Sequence, residues 1–462
     1  MILPGQSLEL ALPSMPLSVA AVGLVSLTVP PGRWGTIAPL GECTGASNGS
    51  AEVPSVACTI LFLLILTGPP LLRLRDPMAS IRGDVDAVVV LHLLVWALAG
   101  MCVLLWRDRS CLGTALRLGL PQELGVLFIF CLALSALVSQ APLLTLFKVY
   151  QMGVMLLFGF LFVRRYGPRA CLQRLFWGYT ILLVGAGIFA LCAPGAAFEP
   201  VESAGLRLRV DQITPGVGRV AAFAIILLLS IAPKLPGMLY LSLLALDVAI
   251  LVASYTRSAY LCLFAFLVLA LVKKTQSVAP RRVAYLLLAA IPVLLATGLL
   301  PRIVPFVVRE SESLGDLSGR TNLWAYLADV TLTQSPWIGL GYYSASRIGG
   351  LQFSSWSGTA HSAFAEVLVG GGLLSLGLFA LLWGALLLFA TSLLFRRRDR
   401  YAFAACSLLV AVFLVSHVGE GIDSGPFGFT FWCLAAILPA LHSQPVRSPP
   451  ERCLAGRKGA LR

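Results

Sequence analysis

The sequence predicts an all-α polytopic membrane protein with about twelve transmembrane helices. The chain is 58% hydrophobic and only 12% charged, whereas soluble domains are about 45–50% apolar and about 25% charged. Its apolar residues also fall into repeated runs of roughly 17–25 residues, each long enough to cross a bilayer as a helix. The predicted spans are 54–72, 86–106, 123–139, 143–163, 175–193, 217–232, 236–254, 258–272, 283–300, 363–395, 402–418 and 426–442.

The first 53 residues are predicted to be a separate N-terminal segment. Its apolar run at 10–30 could be an extra span or an interfacial helix, because Pro13 and Pro16 interrupt it. Residues Met1–Leu12 lack the basic start of a cleavable signal peptide, so we expect the first spans to direct insertion.

Basic residues predict the orientation of the chain. With the twelve spans, five basic clusters lie on one side of the membrane, which the positive-inside rule makes cytoplasmic. This asymmetry accounts for much of the net charge of +13 and favours contact with anionic lipid. It argues against a nucleic-acid partner, because short loops between spans divide the charge. The clusters are Arg107/Arg109/Arg117, Arg164/Arg165/Arg169/Arg174, Lys273/Lys274/Arg281/Arg282, Arg396/Arg397/Arg398/Arg400 and the tail 443–462.

The cysteines predict neither a metal site nor a disulfide framework. The eleven of them include no CxxC pair, and most lie in apolar spans, where cysteine behaves as a small hydrophobe. We therefore expect no metal and no other cofactor.

Two outward loops stand out by their length. The shorter is 194–216, between spans 5 and 6. The longer, 301–360, is too aromatic for a solvated linker and is predicted to be structured. Within it, GRTNLWAYLADVTLTQSP (319–336) places apolar residues at helical spacing and ends at a Ser-Pro pair. This pattern predicts an amphipathic helix on the outer membrane surface.

Outward-facing arginines are the first candidate functional residues. Arg219 opens the span 217–232, Arg257 precedes the span 258–272, and Arg320 lies in the longer loop. Arginines on this face oppose the positive-inside bias, and an anionic ligand would explain them. Arginine binds phosphate oxygens in a two-pronged geometry, so the pattern predicts binding of phosphate or pyrophosphate without a metal. The alternative is that each side chain reaches out to lipid headgroups.

His361 and the glycines after it are the second candidate feature. In GTAHSAFAEVLVGGGLLSLG (358–377), the histidine stands at the start of a long apolar run. Such a histidine is ordinarily a cap or a surface residue, and Gly370-Gly371-Gly372 alone indicates close helix packing. Lys148 and Asp247 fall in or near apolar spans, and we expect them to pair with each other or with another buried group.

The stretch HSAFAEVLVGGGLLS resembles the signature of the O-antigen ligase and polymerase superfamily. In that signature, a His followed by Asn, Ser or Gln precedes nine residues, a Gly, two more residues and a small or aromatic residue. His361, Ser362 and Gly372 match, whereas Ser375 stands where Gly, Thr or Tyr is usual.

Three further segments support the resemblance, which covers about residues 120–440. SGRTNLW (318–324) is similar to the arginine-containing helix of exopolysaccharide polymerases of the ExoQ type. SPWIGLGY (335–342) is similar to the Pro…Gly-x-Gly turn that follows that helix. SALVSQAPLLTLFKVYQ (135–151) resembles the Ser-x-x-Pro-x-x-Thr-Leu start of an earlier span.

The resemblance implies a GT-C-like membrane glycosyltransferase whose large structured loop, 301–360, is periplasmic. Such enzymes transfer a sugar chain from a polyprenyl pyrophosphate, usually undecaprenyl pyrophosphate, to an acceptor hydroxyl without a metal ion. The reaction takes place at the periplasmic face of the bacterial inner membrane. Carried over to this chain, Arg257 and Arg320 would hold the leaving pyrophosphate, and His361 would orient or deprotonate the acceptor hydroxyl.

A second group of residues is predicted to bind substrate. Arg207 and Arg209 could reach the donor's phosphates or saccharide, or they could be solvated loop charges. The whole group is Arg207, Arg209, Arg219, Tyr342 and Ser362.

Three functions stay open from the sequence. A polymerase would extend one lipid-linked chain with another to build exopolysaccharide or O-antigen, and SGRTNLW favours it. A ligase would move a finished glycan onto lipid A core or protein. A flippase or transporter should show internal symmetry and polar or broken helices near mid-membrane, and the sequence shows no repeat. For either enzyme the expected partners are an undecaprenyl-pyrophosphate-linked oligosaccharide donor, a glycan or lipid-linked acceptor, membrane lipid, a chain-length regulator and a flippase.

Overall fold

The computed structural model describes eleven parts of the chain, which all belong to one compact unit, Ser47–Arg462. The N-terminal segment with its run at 10–30, the span 283–300 and nearly all of the basic tail lie outside the described residues. The described residues are 56–67, 87–105, 119–201, 205–210, 216–231, 235–274, 320–353, 360–397, 399–418, 422 and 425–444.

Helices form most of this part of the chain, and the predicted all-α polytopic membrane class is confirmed. Their bounds follow the predicted spans closely; Gly237–Ser254, for example, coincides with the span 236–254. In chain order the helices of ten or more residues are α1 (Val56–Thr67), α2 (Ala87–Leu104), α3 (Leu120–Leu134), α4 (Pro142–Cys192), α5 (Val217–Ile231), α6 (Gly237–Ser254), α7 (Arg257–Lys274), α8 (Arg320–Gln334), α9 (Ser344–Phe353), α10 (Ala363–Arg396), α11 (Arg400–Val418) and α12 (Gly425–Ser443). A four-residue helix, Pro194–Ala197, follows α4.

Six of the described helices are long and apolar enough to cross a membrane. They are α3 together with the 3₁₀ turn Ser135–Leu137, α4, α6, α10, α11 and α12. The described parts of α1 and α5 are apolar but shorter. Large apolar side chains on the outer faces, such as Leu143, Leu191 and Met238, are exposed and suited to contact with lipid.

The helix α4 contains two predicted spans, 143–163 and 175–193, without an irregular loop between them. The only break is at Gly167, where φ is +83° and Pro168 follows. Glycine tolerates positive φ and proline fixes its own φ, so this pair can turn the chain within one residue. The basic residues predicted to lie in a connecting loop are therefore helical on both sides of the break.

The helices α11 and α12 form the centre of the described bundle. α12 packs against α1, α3, α4, α10 and α11, and nearly all of its side chains are buried. Around it, Phe128, Phe379, Phe431 and Trp432 contact one another through their rings. The functional segments described below are attached to this rigid centre through α10 and α4.

The loop 194–216, which was predicted to face outward, contains a two-stranded antiparallel hairpin, the only β structure within the described ranges. Strands β1 (Phe198–Val201) and β2 (Gly205–Leu208) pair with Glu199 opposite Arg207. The sequence LRLRV explains β2, because apolar and arginine side chains alternate with the period of a strand. Leu208 is buried and Arg209 is exposed accordingly.

The helix predicted at 319–336 is confirmed as α8, but its apolar face is covered by protein. Leu323 and Leu327 are buried in a cluster with Ala360 and Val369. The sequence analysis placed this face on the membrane surface, whereas the structure packs it against the first turns of α10 and the residue that precedes them.

Candidate functional site

The helix α10 is interrupted at Gly372, where φ is +67° and ψ is −169°. A turn formed by residues 335–341 docks into this break. The amide of Leu340 donates to the carbonyl oxygen of Val369 (2.9 Å), and that of Gly341 donates to the carbonyl oxygen of Gly370 (3.1 Å). The carbonyl groups that lose their helical partners at the break therefore find new ones in the turn.

The other side of the break is completed by the same turn. The amide of Leu373 donates to the carbonyl oxygen of Pro336 (2.8 Å), and that of Leu374 donates to the carbonyl oxygen of Trp337 (3.2 Å). The turn thus supplies both donors and acceptors to the two halves of α10.

The glycines of both segments are required by this close approach. A Cβ on Gly372 would lie 2.4 Å from the carbonyl carbon of Trp337, and one on Gly339 would lie 2.5 Å from the carbonyl carbon of Gly370. A Cβ on Gly370 would lie 2.5 Å from the Cα of Tyr342. These obstacles are backbone atoms and cannot rotate away. Gly370 and Gly372 therefore mark close packing against a turn, whereas Gly371 marks close packing against a second helix, because a Cβ there would lie 2.5 Å from Leu132 of α3.

Hydroxyl groups attach this turn to the start of α4. The Oγ of Ser139, the Oγ1 of Thr145 and the Oγ of Ser344 lie 2.8–3.0 Å from one another. Thr145 Oγ1 also donates to the carbonyl oxygen of Tyr342 (3.1 Å), and the amide of Tyr342 donates to Ser135 Oγ (3.1 Å). The Ser-x-x-Pro-x-x-Thr segment and the Gly-x-Gly turn, both singled out in the sequence, are therefore in contact.

The predicted substrate residue Tyr342 is completely buried at this junction. Its neighbour Tyr343 is only half-buried and has a left-handed backbone, with φ of +67°.

His361 occupies the turn immediately before α10. Its φ of +50° is in the left-handed region, which residues other than glycine seldom adopt. Ser362 is the N-cap of α10, and its Oγ accepts from the amide of Ala365 at 3.5 Å. The structure therefore gives Ser362 a capping role, whether or not it also contacts substrate.

Two other elements hold the residue before the histidine. The carbonyl oxygen of Ala360 accepts a 2.6 Å hydrogen bond from Trp324 Nε1 on α8. The amide of Ala360 lies 3.4 Å from the carboxylate of Glu366, which is buried in the first turn of α10 and also accepts from Ser346 Oγ on α9. The left-handed backbone of His361 is thus fixed from α8, α9 and α10.

The electrostatic surroundings of His361 keep its imidazole neutral. Burial lowers its pKa to about 4, with further lowering by the positive charges of Arg320 and Arg219. Arg320 is the first residue of α8, and Arg219 lies in the first turn of α5. The structure therefore brings three predicted site residues, from three separate elements, into one electrostatic environment.

Arg219 is oriented by the start of α7. Its Nε donates to Ser258 Oγ at 2.9 Å, and its guanidinium carbon lies 5.8 Å from the ring centroid of Phe427. The adjacent Arg257, the first residue of α7, is exposed, and no hydrogen bond or ion pair joins its side chain to the described residues. Arg257 therefore lies beside the residue that orients Arg219.

The two arginines of the hairpin have different neighbours. Arg207 Nε donates to the carbonyl oxygen of Ser254, three residues before Arg257 in sequence (3.0 Å). Arg209 Nη1 contacts both carboxylate oxygens of Glu199 at 3.0 and 2.9 Å, and both side chains are about half exposed. Arg207 thus contacts the same turn as Arg219, whereas Arg209 forms a solvated surface pair.

Lys148 and Asp247 do not pair with each other in the described part of the chain. Lys148 Nζ lies 4.1 Å from the ring centroid of Tyr343, whereas the buried Oδ1 of Asp247 has no hydrogen-bond partner among the described residues. Helical spacing could not predict which neighbouring helix each side chain would face.

Glu366 is the buried residue at this site that sequence analysis missed. Its signal was present, because an ionisable side chain within a predicted span is itself unusual and often functional. Within the residues that the structure describes, no group of three or more His, Cys, Asp or Glu side chains could hold a metal ion.

Comparison with known proteins gives one match. Residues 241–380 match the family model described as O-antigen ligase. The matched range includes Arg257, Arg320, the docked turn and His361, but not Lys148 or the hairpin arginines. No match to the chain was found among the curated proteins.

Proposed function

We propose that this chain, whose residues 241–380 match the family model described as O-antigen ligase, polymerises oligosaccharide repeat units carried on undecaprenyl pyrophosphate. The proposed site faces the periplasm from the bacterial inner membrane. The observation that most directly supports this reaction is that burial, together with the positive charges of Arg320 and Arg219, lowers the pKa of His361, a residue whose left-handed backbone is fixed by three helices. That combination suits a reaction in which a hydroxyl loses a proton while a phosphate group departs.

The proposed reaction is a single displacement at the anomeric carbon of the donor. The acceptor oxygen forms a bond to this carbon as the bond from the carbon to the pyrophosphate oxygen breaks. The electron pair leaves with the lipid pyrophosphate, and the proton of the acceptor hydroxyl passes to His361. Donor and acceptor are the only reactants, and no oxidant or reductant is needed.

The arginines would stabilise the leaving group. Negative charge grows on the pyrophosphate as the bond breaks, and fixed guanidinium groups aimed at it lower the barrier. Arg320 and Arg219 already share the surroundings of His361. Arg257, exposed beside Ser258, is proposed to complete the contact when the lipid is bound. Because arginines supply the positive charge, we propose that the reaction needs no metal ion.

The lowered pKa of His361 has a consequence for the order of events. In the empty site a pKa of about 4 makes the imidazole neutral but weakly basic. A bound pyrophosphate would offset the positive charges of Arg320 and Arg219, and the pKa of His361 is then expected to rise. Donor binding would thereby strengthen the base that the acceptor needs.

A ligase on the same scaffold is the second candidate, because the matched family model is described as O-antigen ligase. A transporter is less well supported, although α10 is broken. At the break, the carbonyl groups of Val369 and Gly370 accept hydrogen bonds from the docked turn and are therefore not available to a transported solute.

The proposal is tested by His361→Ala in purified protein with lipid-linked donor and acceptor. General base catalysis contributes about 10²–10⁴-fold, and a loss of that size is expected. His442→Ala is the matched control, because His442 lies in the last turn of α12, where its ring contacts the hydroxyl of Ser392 and not the proposed site. Near-parental transfer by His361→Ala would refute the base assignment.

Two further experiments test the proposed acceptor and the proposed independence from metal ions. Transfer to lipid-linked acceptor but not to lipid A core would identify a polymerase, and the reverse a ligase. Activity should persist in EDTA. A loss that Mg²⁺ or Mn²⁺ restores would overturn metal independence.

A further inference from the structure

The turn between α6 and α7 (254–258), called here the α6–α7 turn, carries or orients two of the three arginines proposed to meet the donor. Ser258 Oγ accepts a 2.9 Å hydrogen bond from Arg219 Nε. Arg257 is the first residue of α7 and is exposed. The position of this turn therefore decides where both arginines lie relative to a bound pyrophosphate.

The backbone of the α6–α7 turn depends on support from neighbouring elements. Tyr255 has φ of +47°, a left-handed conformation that a residue other than glycine keeps only where the surrounding structure holds it. The turn's own hydrogen bonds are long: the amide of Tyr255 donates to the carbonyl oxygen of Val252 at 3.2 Å, and Thr256 Oγ1 donates to that of Ser254 at 3.3 Å. Support from α5 is direct, because Gly218 leaves no space for a Cβ beside Ser254 Oγ.

Arg207 supplies further support from the hairpin. Its Nε donates to the same carbonyl oxygen of Ser254 at 3.0 Å, and a charged donor makes this bond stronger than one between neutral groups. The hairpin itself is anchored in the protein, because Leu208 is buried and the amide of Arg209 donates to the carbonyl oxygen of Ala197 at 2.8 Å. The guanidinium of Arg207 is thus held against the turn by a fixed backbone.

We propose that Arg207 is a positioning residue, whose bond to Ser254 holds the α6–α7 turn where Arg219 and Arg257 meet the departing pyrophosphate. This role rests on the proposed glycosyl transfer. The sequence predicted direct contact between Arg207 and the donor, whereas here Arg207 acts through the turn. Negative charge on the leaving group is greatest in the transition state, so poorly aligned arginines should lower kcat more than they raise KM for the donor.

Three substitutions of Arg207 separate positioning from direct binding. Arg207→Gln removes the charge but keeps an N–H group at the same number of bonds from Cα as Nε. Arg207→Lys keeps the charge, but its ammonium lies one atom further along the side chain. Arg207→Met removes both the charge and the donor. Positioning predicts that the glutamine variant is more active than the lysine variant, whereas direct binding of pyrophosphate predicts the reverse.

The assay is transfer by the purified protein from lipid-linked donor to acceptor, expressed per folded molecule. Arg207→Met should lower kcat about tenfold to a hundredfold, the loss expected when reacting groups are misplaced by about 1 Å. KM for the donor should change much less, and Arg207→Gln should lie close to the parent. Lower stability with parental kcat and KM would show a merely structural role and would refute the proposal.

Arg209→Met is the matched comparison, because it removes the same kind of side chain from the same hairpin. The partner of Arg209 is Glu199 and not the α6–α7 turn. A loss of kcat as large as that of Arg207→Met would show that the charge of the hairpin, and not the bond to the turn, supports transfer.

A double-mutant cycle tests the connection between Arg207 and Arg219. Ser258→Ala removes the hydroxyl that accepts from Arg219. If Arg207→Met also acts on the orientation of Arg219, the combined loss of kcat should be smaller than the product of the two single losses. Fully multiplicative losses would refute the connection through the turn.

The comparison of Arg207→Lys with Arg207→Gln decides the proposal even if Arg207→Met fails to fold. A lysine variant as active as the parent, together with an impaired glutamine variant, would refute positioning and favour direct binding. A parent that transfers no saccharide to any acceptor would refute the glycosyltransferase proposal and this role with it. An active parent whose Arg207 variants all have parental kcat would refute the positioning role alone.

Discussion

Replacement of Gly372 by alanine tests the docked turn at the centre of the site. The backbone there has φ of +67° and ψ of −169°, a region that is nearly exclusive to glycine and costs another residue about 1–3 kcal/mol. The new Cβ would also lie 2.4 Å from the carbonyl carbon of Trp337 and 2.6 Å from the amide nitrogen of Gly339. Forcing a methyl group into such a tight space costs about 1–3 kcal/mol more.

Gly377, five residues later in the same helix, provides the matched control. A Cβ there meets no atom within 4 Å, and its backbone is helical. Alanine at a helical glycine is favourable by up to about 1 kcal/mol. The two variants should therefore differ by at least about 2 kcal/mol, with Gly372→Ala the less stable.

The assay is unfolding of the purified protein in mild detergent, followed by tryptophan fluorescence as denaturant is added. Transfer activity is measured on the fraction that stays folded. We expect Gly372→Ala to lose both stability and activity, because the half-helix that directly follows His361 and Ser362 is joined to the turn at this point. Equal stability of the two variants would refute the close approach of turn and helix.

Two further predictions concern the histidine. Because burial and two arginines hold the pKa of His361 at about 4, kcat/KM for the donor should stay constant as pH falls from 7 to about 5. Arg320→Gln removes one of the positive charges that lower the pKa of His361, so the fall of kcat/KM on the acid side should occur at a higher pH in this variant. If kcat/KM of the parent protein fell near a pH of about 6.5, the ordinary pKa of histidine, the burial of His361 would be contradicted. Trp324→Phe loses the 2.6 Å hydrogen bond to the Ala360 carbonyl, which should cost about 1 kcal/mol of stability. It should also lower kcat more than KM for the donor, and unchanged kcat would show that this bond does not position His361.

The membrane-spanning helices were the most predictable part of the fold. Long apolar runs bounded by proline or polar residues specify a span almost alone, as α6 shows. The continuity of α4 was less predictable, because the basic residues around Gly167 predict a cytoplasmic turn between two spans and are also good helix formers. The hairpin was hidden in a short alternating stretch, LRLRV, within what otherwise resembles a loop.

The residue types that form the candidate site could be predicted from the sequence, but their arrangement in space could not. Arg219, Arg320 and His361 were recognisable as charged or titratable groups on one face of the membrane. These three residues come together only because elements far apart in sequence pack against one another. A local sequence pattern does not predict such packing. The same limit explains Lys148, whose neighbour is Tyr343 and not Asp247.

The break in α10 also bears on how the protein is assembled in the membrane. Residues 373–396 alone are about 36 Å long as a helix, enough to span the hydrocarbon core of about 30 Å. Residues 363–371 are too short to insert independently, and two of their carbonyl groups are satisfied only by the turn that precedes them in the chain. In the proposed periplasmic orientation, that turn must cross the membrane during synthesis before the half-helix that follows His361 can dock against it. The docking of the turn would then complete the site late in assembly. A delay in translocating the preceding loop would postpone this docking, but it would not prevent insertion of residues 373–396.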